Sequence, residues 1–117
     1  MANVASPIDP TQTPEWKKLA QDFKQMHDEG ISLKKWFADD PERVNKLSFD
    51  VNDLHFDLSK NLVTDETVKA LVALGRAVHL EERRDQMLKG VHINTTEDRA
   101  VLHSALRRPA SDEGKLI

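Results

Sequence analysis

Along the chain, apolar residues recur first at helical spacing, then at alternate positions, then at helical spacing again. Trp16, Leu19, Ala20, Phe23 and Met26 fall three or four apart, which predicts a helix with one apolar stripe turned to a core. Thr13 stands where an N-cap is needed. Pro14 suits the first helical position, because its missing N–H would have no partner there. Glu15 complements the dipole, and Gly30 ends the helix. Ser32 opens a shorter helix carrying Leu33, Trp36 and Phe37. Pro41 then starts a further turn, with Asp40 as its cap, that ends near Lys46. The short connections predict that the first two helices pack as an antiparallel pair.

At Leu47 the period becomes two. Leu47, Phe49 and Val51 alternate with Ser48 and Asp50, and Leu54, Phe56 and Leu58 alternate with His55 and Asp57. The Asn52-Asp53 step between them predicts a β-hairpin, since both residues tolerate the left-handed backbone region. Thr64 opens the next helix, with Asp65 and Glu66 in its first turn and a stripe of Val68, Leu71, Val72, Gly75 and Val78. A second, charged helix through Glu81, Glu82, Arg83, Arg84 and Asp85 closes with Met87, Leu88 and Gly90. Thr95 and Asp98 match a capping-box spacing, and this predicts a helix over 99–107 with Val101, Leu102, Ala105 and Leu106 buried. The fold expected is mostly α with one β-hairpin, an α+β arrangement. Residues 1–12 form a mobile lead-in, 13–109 the folded segment and 110–117 a polar loop. The last three residues of that loop, Lys115-Leu116-Ile117, suit the start of a strand.

Composition narrows the function more than the fold. The 117 residues favour one domain, and 38% hydrophobic content with a net charge of −3 is enough apolar material to fold. The charge gives no broad electrostatic reason to expect nucleic acid. No apolar run approaches the roughly 20 residues of a membrane helix. With no secretion signal in MANVASPIDPTQTP, the expected location is cytoplasmic. The absence of cysteine removes thiolate chemistry and Cys-ligated zinc. His27, His55, His79, His92 and His103 lack the i, i+4 spacing of a helical zinc pair, so no metal is expected. His27 and His79 suit helix C-termini, and His55 the polar face of a strand. Asp50, Asn52 and Asp53 begin like a calcium loop, but Leu54 takes a ligand place and the bend lacks its glycine. Four unclustered glycines exclude a phosphate-cradling loop, and no serine lies in a nucleophile elbow. Asn94-Thr95-Thr96 is a glycosylation sequon by pattern, with capping by Thr95 the preferred reading. The arginines and histidine of 99–108 could meet a phosphate, but a positively flanked helix end is the plainer reading.

Two stretches resemble the N-terminal region of the glucose-6-phosphate isomerase family. They are Asp57-Leu58-Ser59-Lys60-Asn61-Leu62-Val63-Thr64, and Gly90 to Arg107 with its run Ile93-Asn94-Thr95-Thr96-Glu97-Asp98-Arg99-Ala100-Val101-Leu102-His103. Arg84 and Met87 match the opening of the second motif, while Leu88 and Val91 depart from its usual Phe and Glu. The resemblance spans roughly Pro14 to Pro109. It implies that the chain is the N-terminal part of an α/β sugar-isomerase (SIS-type) fold that works as a homodimer. It also implies interconversion of glucose 6-phosphate and fructose 6-phosphate through a cis-enediol, without metal or organic cofactor. The family's phosphate loop, catalytic Glu and ring-opening His and Lys match no position here, so no catalytic or substrate-binding residue is carried over. A fragment of this kind should be inactive alone. Arg99 and His103, expected one helical turn apart, are the candidates for supporting an active site from behind. The competing readings are a standalone helical interaction module derived from this region and, more distantly, a DNA-binding helix pair, which the charge disfavours.

Overall fold

The computed structural model describes residues 6–112. These form two compact units, one spanning 11–74 and the other made of the chain before residue 11 together with the chain from Gly75 onward.

A 3-10 turn at Pro10–Gln12 stands where the chain enters the 11–74 unit, so regular structure reaches into the expected lead-in. Helix α1 (Pro14–Glu29) follows, with the Thr13 hydroxyl accepting from the Trp16 N–H and Gly30 at φ 86° closing it. Helix α2 (Leu33–Asp39) is capped by the Ser32 hydroxyl, which accepts from the Lys35 N–H. Asp40 is not the N-cap that was expected, since that place falls to Glu42 without a side-chain cap; Asp40 instead takes the Glu42 N–H on Oδ1 at 3.0 Å in the turn before the helix. Helix α3, however, is only Arg43–Lys46 and begins two residues after Pro41. Close backbone approaches in this unit are between the strands and between α3 and β1. The α1–α2 pair expected from the short link is not among these closest approaches. The short link turns the chain from α2 into α3 and the hairpin instead.

Strands β1 (Ser48–Val51) and β2 (Leu54–Asp57) pair antiparallel, with Phe49 opposite Phe56 and Asp50 opposite His55. Asn52 takes the left-handed conformation at φ 51°, as the turn requires. The ladder runs one pair further, where the Leu58 N–H donates to the Leu47 carbonyl at 2.9 Å. Leu47, 4% exposed, is the one buried apolar side chain among the described residues. Phe49, Val51, Leu54 and Phe56 stay exposed, although the two phenyl rings stack at 5.1 Å. Helix α4 (Asp65–Ala77) is capped by the Thr64 hydroxyl, which accepts from the Thr67 N–H.

The second unit contains the end of α4 and helix α5 (Leu80–Leu88), joined at His79 in the left-handed region with φ 57°. Gly90, at φ 71°, ends α5 as its position predicts, donating its N–H to Met87. Within this unit Pro7, Ile8 and Pro10 line a shallow groove with Val78, Leu80 and Ile93.

The helix expected over 99–107 is not there. Asn94 and Arg99 exchange two backbone hydrogen bonds at 3.1 and 3.2 Å, closing a loop in which Asp98 sits at φ 50°. The Asn94 side chain, not Thr95, organises that loop: its Oδ1 accepts from the Thr96 hydroxyl and the Glu97 N–H. Asn competes for local backbone donors in this way, and here it wins over the capping box. Only His103–Arg107 is helical, as 3-10, and Leu106 is 89% exposed instead of buried. In the tail, Ala110–Asp112 forms one further 3-10 turn. The strand start expected at 115–117 lies outside the described residues.

Candidate functional site

Three places in the described chain concentrate chemistry or unsatisfied surface. The first is the segment between β2 and α4. Asp57 ends the strand, and its Oδ1 accepts the Ser59 N–H at 2.8 Å. Ser59 is 1% exposed. The Ser59 hydroxyl and then its N–H hold the Asp57 carboxyl below the ordinary carboxylate range, with nearby His55 acting in the same direction and desolvation opposing.

Behind this turn lies Arg43, 5% exposed. Its Nε donates to the Ser59 carbonyl at 2.9 Å, and Nη2 to the carbonyls of Asn61 at 3.1 Å and Val63 at 2.9 Å. The guanidinium carbon lies 4.9 Å from the centroid of the Trp36 ring and 5.6 Å from that of Phe37. A buried cation is costly unless hydrogen-bonded, and here backbone carbonyls and two aromatic faces do the compensating. Asp40 steadies the corner that carries Arg43. Its hydrogen bond from Lys46 (2.8 Å) lowers the Asp40 pKa and raises that of Lys46. Arg43 was not among the candidates that the sequence suggested. The available signal was its i, i+4 spacing to Leu47, which places the two on one buried face.

The second place is an open apolar groove of about 490 Å3, lined by Trp16, Phe23 and Met26 from α1, by Leu62 and Val63, and by Leu71 from α4. The α1 stripe is thus helical as expected, but it is left largely uncovered: Trp16 is 43% and Phe23 63% exposed. His27, near the C-terminus of α1, places Nδ1 2.9 Å from the Phe23 carbonyl.

The third place is the segment after α5. Its loop is bridged by His92 and Asp98 at 3.0 Å, and Arg108 donates to the Leu88 carbonyl at 3.1 Å. Arg99 belongs to the Asn94 bridge and His103 opens the 3-10 segment, so the two do not share a helical turn. His55 and His79 pair with Asp50 and Glu82, at 2.6 and 3.1 Å. Among the described residues no cluster of His, Asp and Glu comes together that could hold a metal ion. No described carboxylate is buried. No helix among the described residues is long and apolar enough to cross a membrane.

The chain belongs to the phosphoglucose isomerase family, whose model matches residues 57–115, beginning at the carboxylate that caps the Arg43-held turn. Among individual relatives, it is 62% identical over 111 residues to the glucose-6-phosphate isomerase of Bifidobacterium longum (strain NCC 2705), covering 95% of this chain and 20% of that protein. It is 51% identical over 108 residues to the enzyme of the same name from Corynebacterium kroppenstedtii, covering 92% and 19%. Against that of Mycobacterium tuberculosis (strain H37Rv) it is 52% identical over 110 residues, covering 93% and 20%. The chain therefore spans about a fifth of the length of the curated relatives it matches.

Proposed function

We propose that this chain serves as the N-terminal part of a glucose-6-phosphate isomerase. The whole protein, on this reading, is a cytoplasmic homodimer of SIS-type fold that interconverts glucose 6-phosphate and fructose 6-phosphate through a cis-enediol, with no metal or organic cofactor. The observation that carries the reading is the family match over residues 57–115, reinforced by 62% identity to an isomerase across nearly the whole chain. The role of this part is structural support, and by itself it is inactive. Two features support that division of labour. No described carboxylate is buried where its pKa would be tuned for moving a proton, and a groove lined by Trp16, Phe23 and Leu71 stands open. Arg99 and His103 contribute from behind the active site, from a bridge and a 3-10 turn instead of one helical face.

The test replaces the matching fifth of the B. longum enzyme with this chain and assays isomerisation beside the chain alone. The graft should be active and the chain inactive. Arg99→Ala and His103→Ala in the graft should lower kcat/KM. A folded but inactive graft, or turnover by the isolated chain, would overturn the reading. The same open groove favours a second reading, a helical interaction module. That reading would gain if the chain were a stable monomer that binds a partner through the groove and cannot restore the graft.

A further inference from the structure

The segment from Leu58 to Thr64 lies between β2 and α4 and belongs to no helix or strand. Its shape must therefore be fixed by side chains. Its carbonyls at 59, 61 and 63 all accept from one guanidinium, and no described carboxylate forms an ion pair with Arg43. The segment turns at 59–60, with the Asn61 N–H donating to the Leu58 carbonyl, and the turn brings three carbonyls within reach of one planar fork, where a lysine, a point charge, could satisfy fewer. The intervening Lys60 and Leu62 are exposed, and Leu62 and Val63 line the apolar groove.

We propose that Arg43 is a positioning residue: it acts through the Ser59–Val63 backbone to fix where Lys60 and Leu62 are presented and to set one wall of the groove. Arg43 lies outside the family-matched residues 57–115 yet governs their opening turn. Its relevance to isomerisation rests on the reading above, whereas its action on the loop does not. The Trp36 and Phe37 rings lie 4.9 and 5.6 Å from the guanidinium carbon, and at 5% exposure the cation makes these hydrogen bonds largely out of water, where they are stronger.

The test uses three amides of this loop that are protected by other partners. The Ser59 N–H donates to Asp57, that of Asn61 to Leu58 and that of Thr64 to Thr67. In Arg43→Ala their hydrogen exchange should quicken by about tenfold or more, the scale of one charged hydrogen bond, ahead of the amides of α1. Arg43→Lys, which keeps the charge and has the better prospect of folding, should fall between the two. Methylguanidinium added to Arg43→Ala should slow exchange at the same amides. In the grafted isomerase, Arg43→Lys should lower kcat/KM. Wild-type protection of the three amides in both variants would overturn the proposal. So would uniform quickening of every amide of the 11–74 unit in both variants, which would make Arg43 a general stabiliser. An inactive unsubstituted graft would instead count against the isomerase reading, while exchange still decides what Arg43 does.

Discussion

The two units differ in what holds them. The 11–74 unit contains every buried residue among those described, namely Thr13, Arg43, Leu47 and Ser59, each tied to a cap, a strand ladder or a turn. The described residues from Gly75 onward are nowhere buried, and they are held by local turn chemistry such as the Asn94 loop and the His92–Asp98 pair. Yet this second unit contains the longer of the two stretches that carry the family resemblance. Family identity here therefore does not track packing within the chain. Val91, Ile93, Val101, Leu102 and Leu106 follow a pattern whose apolar residues find no core among their own neighbours, Leu106 least of all.

The sharpest way to break the comparison is to remove its one buried apolar side chain. Leu47→Ala should destabilise the first unit by about 3 kcal/mol, from lost transfer energy plus the cavity left behind. Leu106→Ala, at an 89% exposed position, should stay within about 0.5 kcal/mol. Both tryptophans, Trp16 and Trp36, lie in the first unit, so their fluorescence in a urea titration reads it directly. Equal effects of the two substitutions would show that the units do not differ as described.

How far the sequence foretold each region follows the same division. Where a boundary is set by one residue acting on its own neighbours, the pattern sufficed. Thr13, Ser32, Thr64, Gly30 and Gly90 all cap where they should, and the alternation from Leu47 to Leu58 became a hairpin turning at Asn52-Asp53 as expected. Arg43 was missed because its partners are backbone carbonyls 16 to 20 residues away, and no side-chain pattern records a carbonyl. The last helix was expected because Thr95 and Asp98 fit a capping box. The rival, Asn94, stands one residue earlier and takes the Glu97 N–H and the Thr96 hydroxyl on its own Oδ1. A periodic apolar pattern gives a helix only where something covers its stripe, and over 99–107 the described residues leave Leu102 and Leu106 exposed.

Asn94 and Thr95 allow a smaller and more local test. Asn94→Ala should cost about 1 kcal/mol of loop stability, the usual scale of a lost side-chain cap. It should be seen as faster exchange at the Glu97 and Arg99 amides. Thr95→Ala should leave both unchanged, because no described hydrogen bond in that loop uses its hydroxyl. The opposite ranking would restore the capping box and the helix it implies.

The smallest effect expected is a pH dependence confined to the first unit. The Asp57 carboxyl is held below its ordinary value, first by the Ser59 hydroxyl and then by the Ser59 N–H. The folded state thus favours the charged form. That contribution is complete above the unfolded value of about 3.9 and disappears as pH falls through the lower folded value. Asp40, lowered by Lys46, adds a loss of the same sign in the same range. Asp57→Asn removes the first contribution and leaves the second. Below about pH 4 the tryptophan-monitored midpoint should then fall less steeply for Asp57→Asn than for the unsubstituted chain. Identical slopes would mean that the turn capped by Asp57 adds nothing to holding the segment that Arg43 gathers, and the clamp would rest on the guanidinium alone.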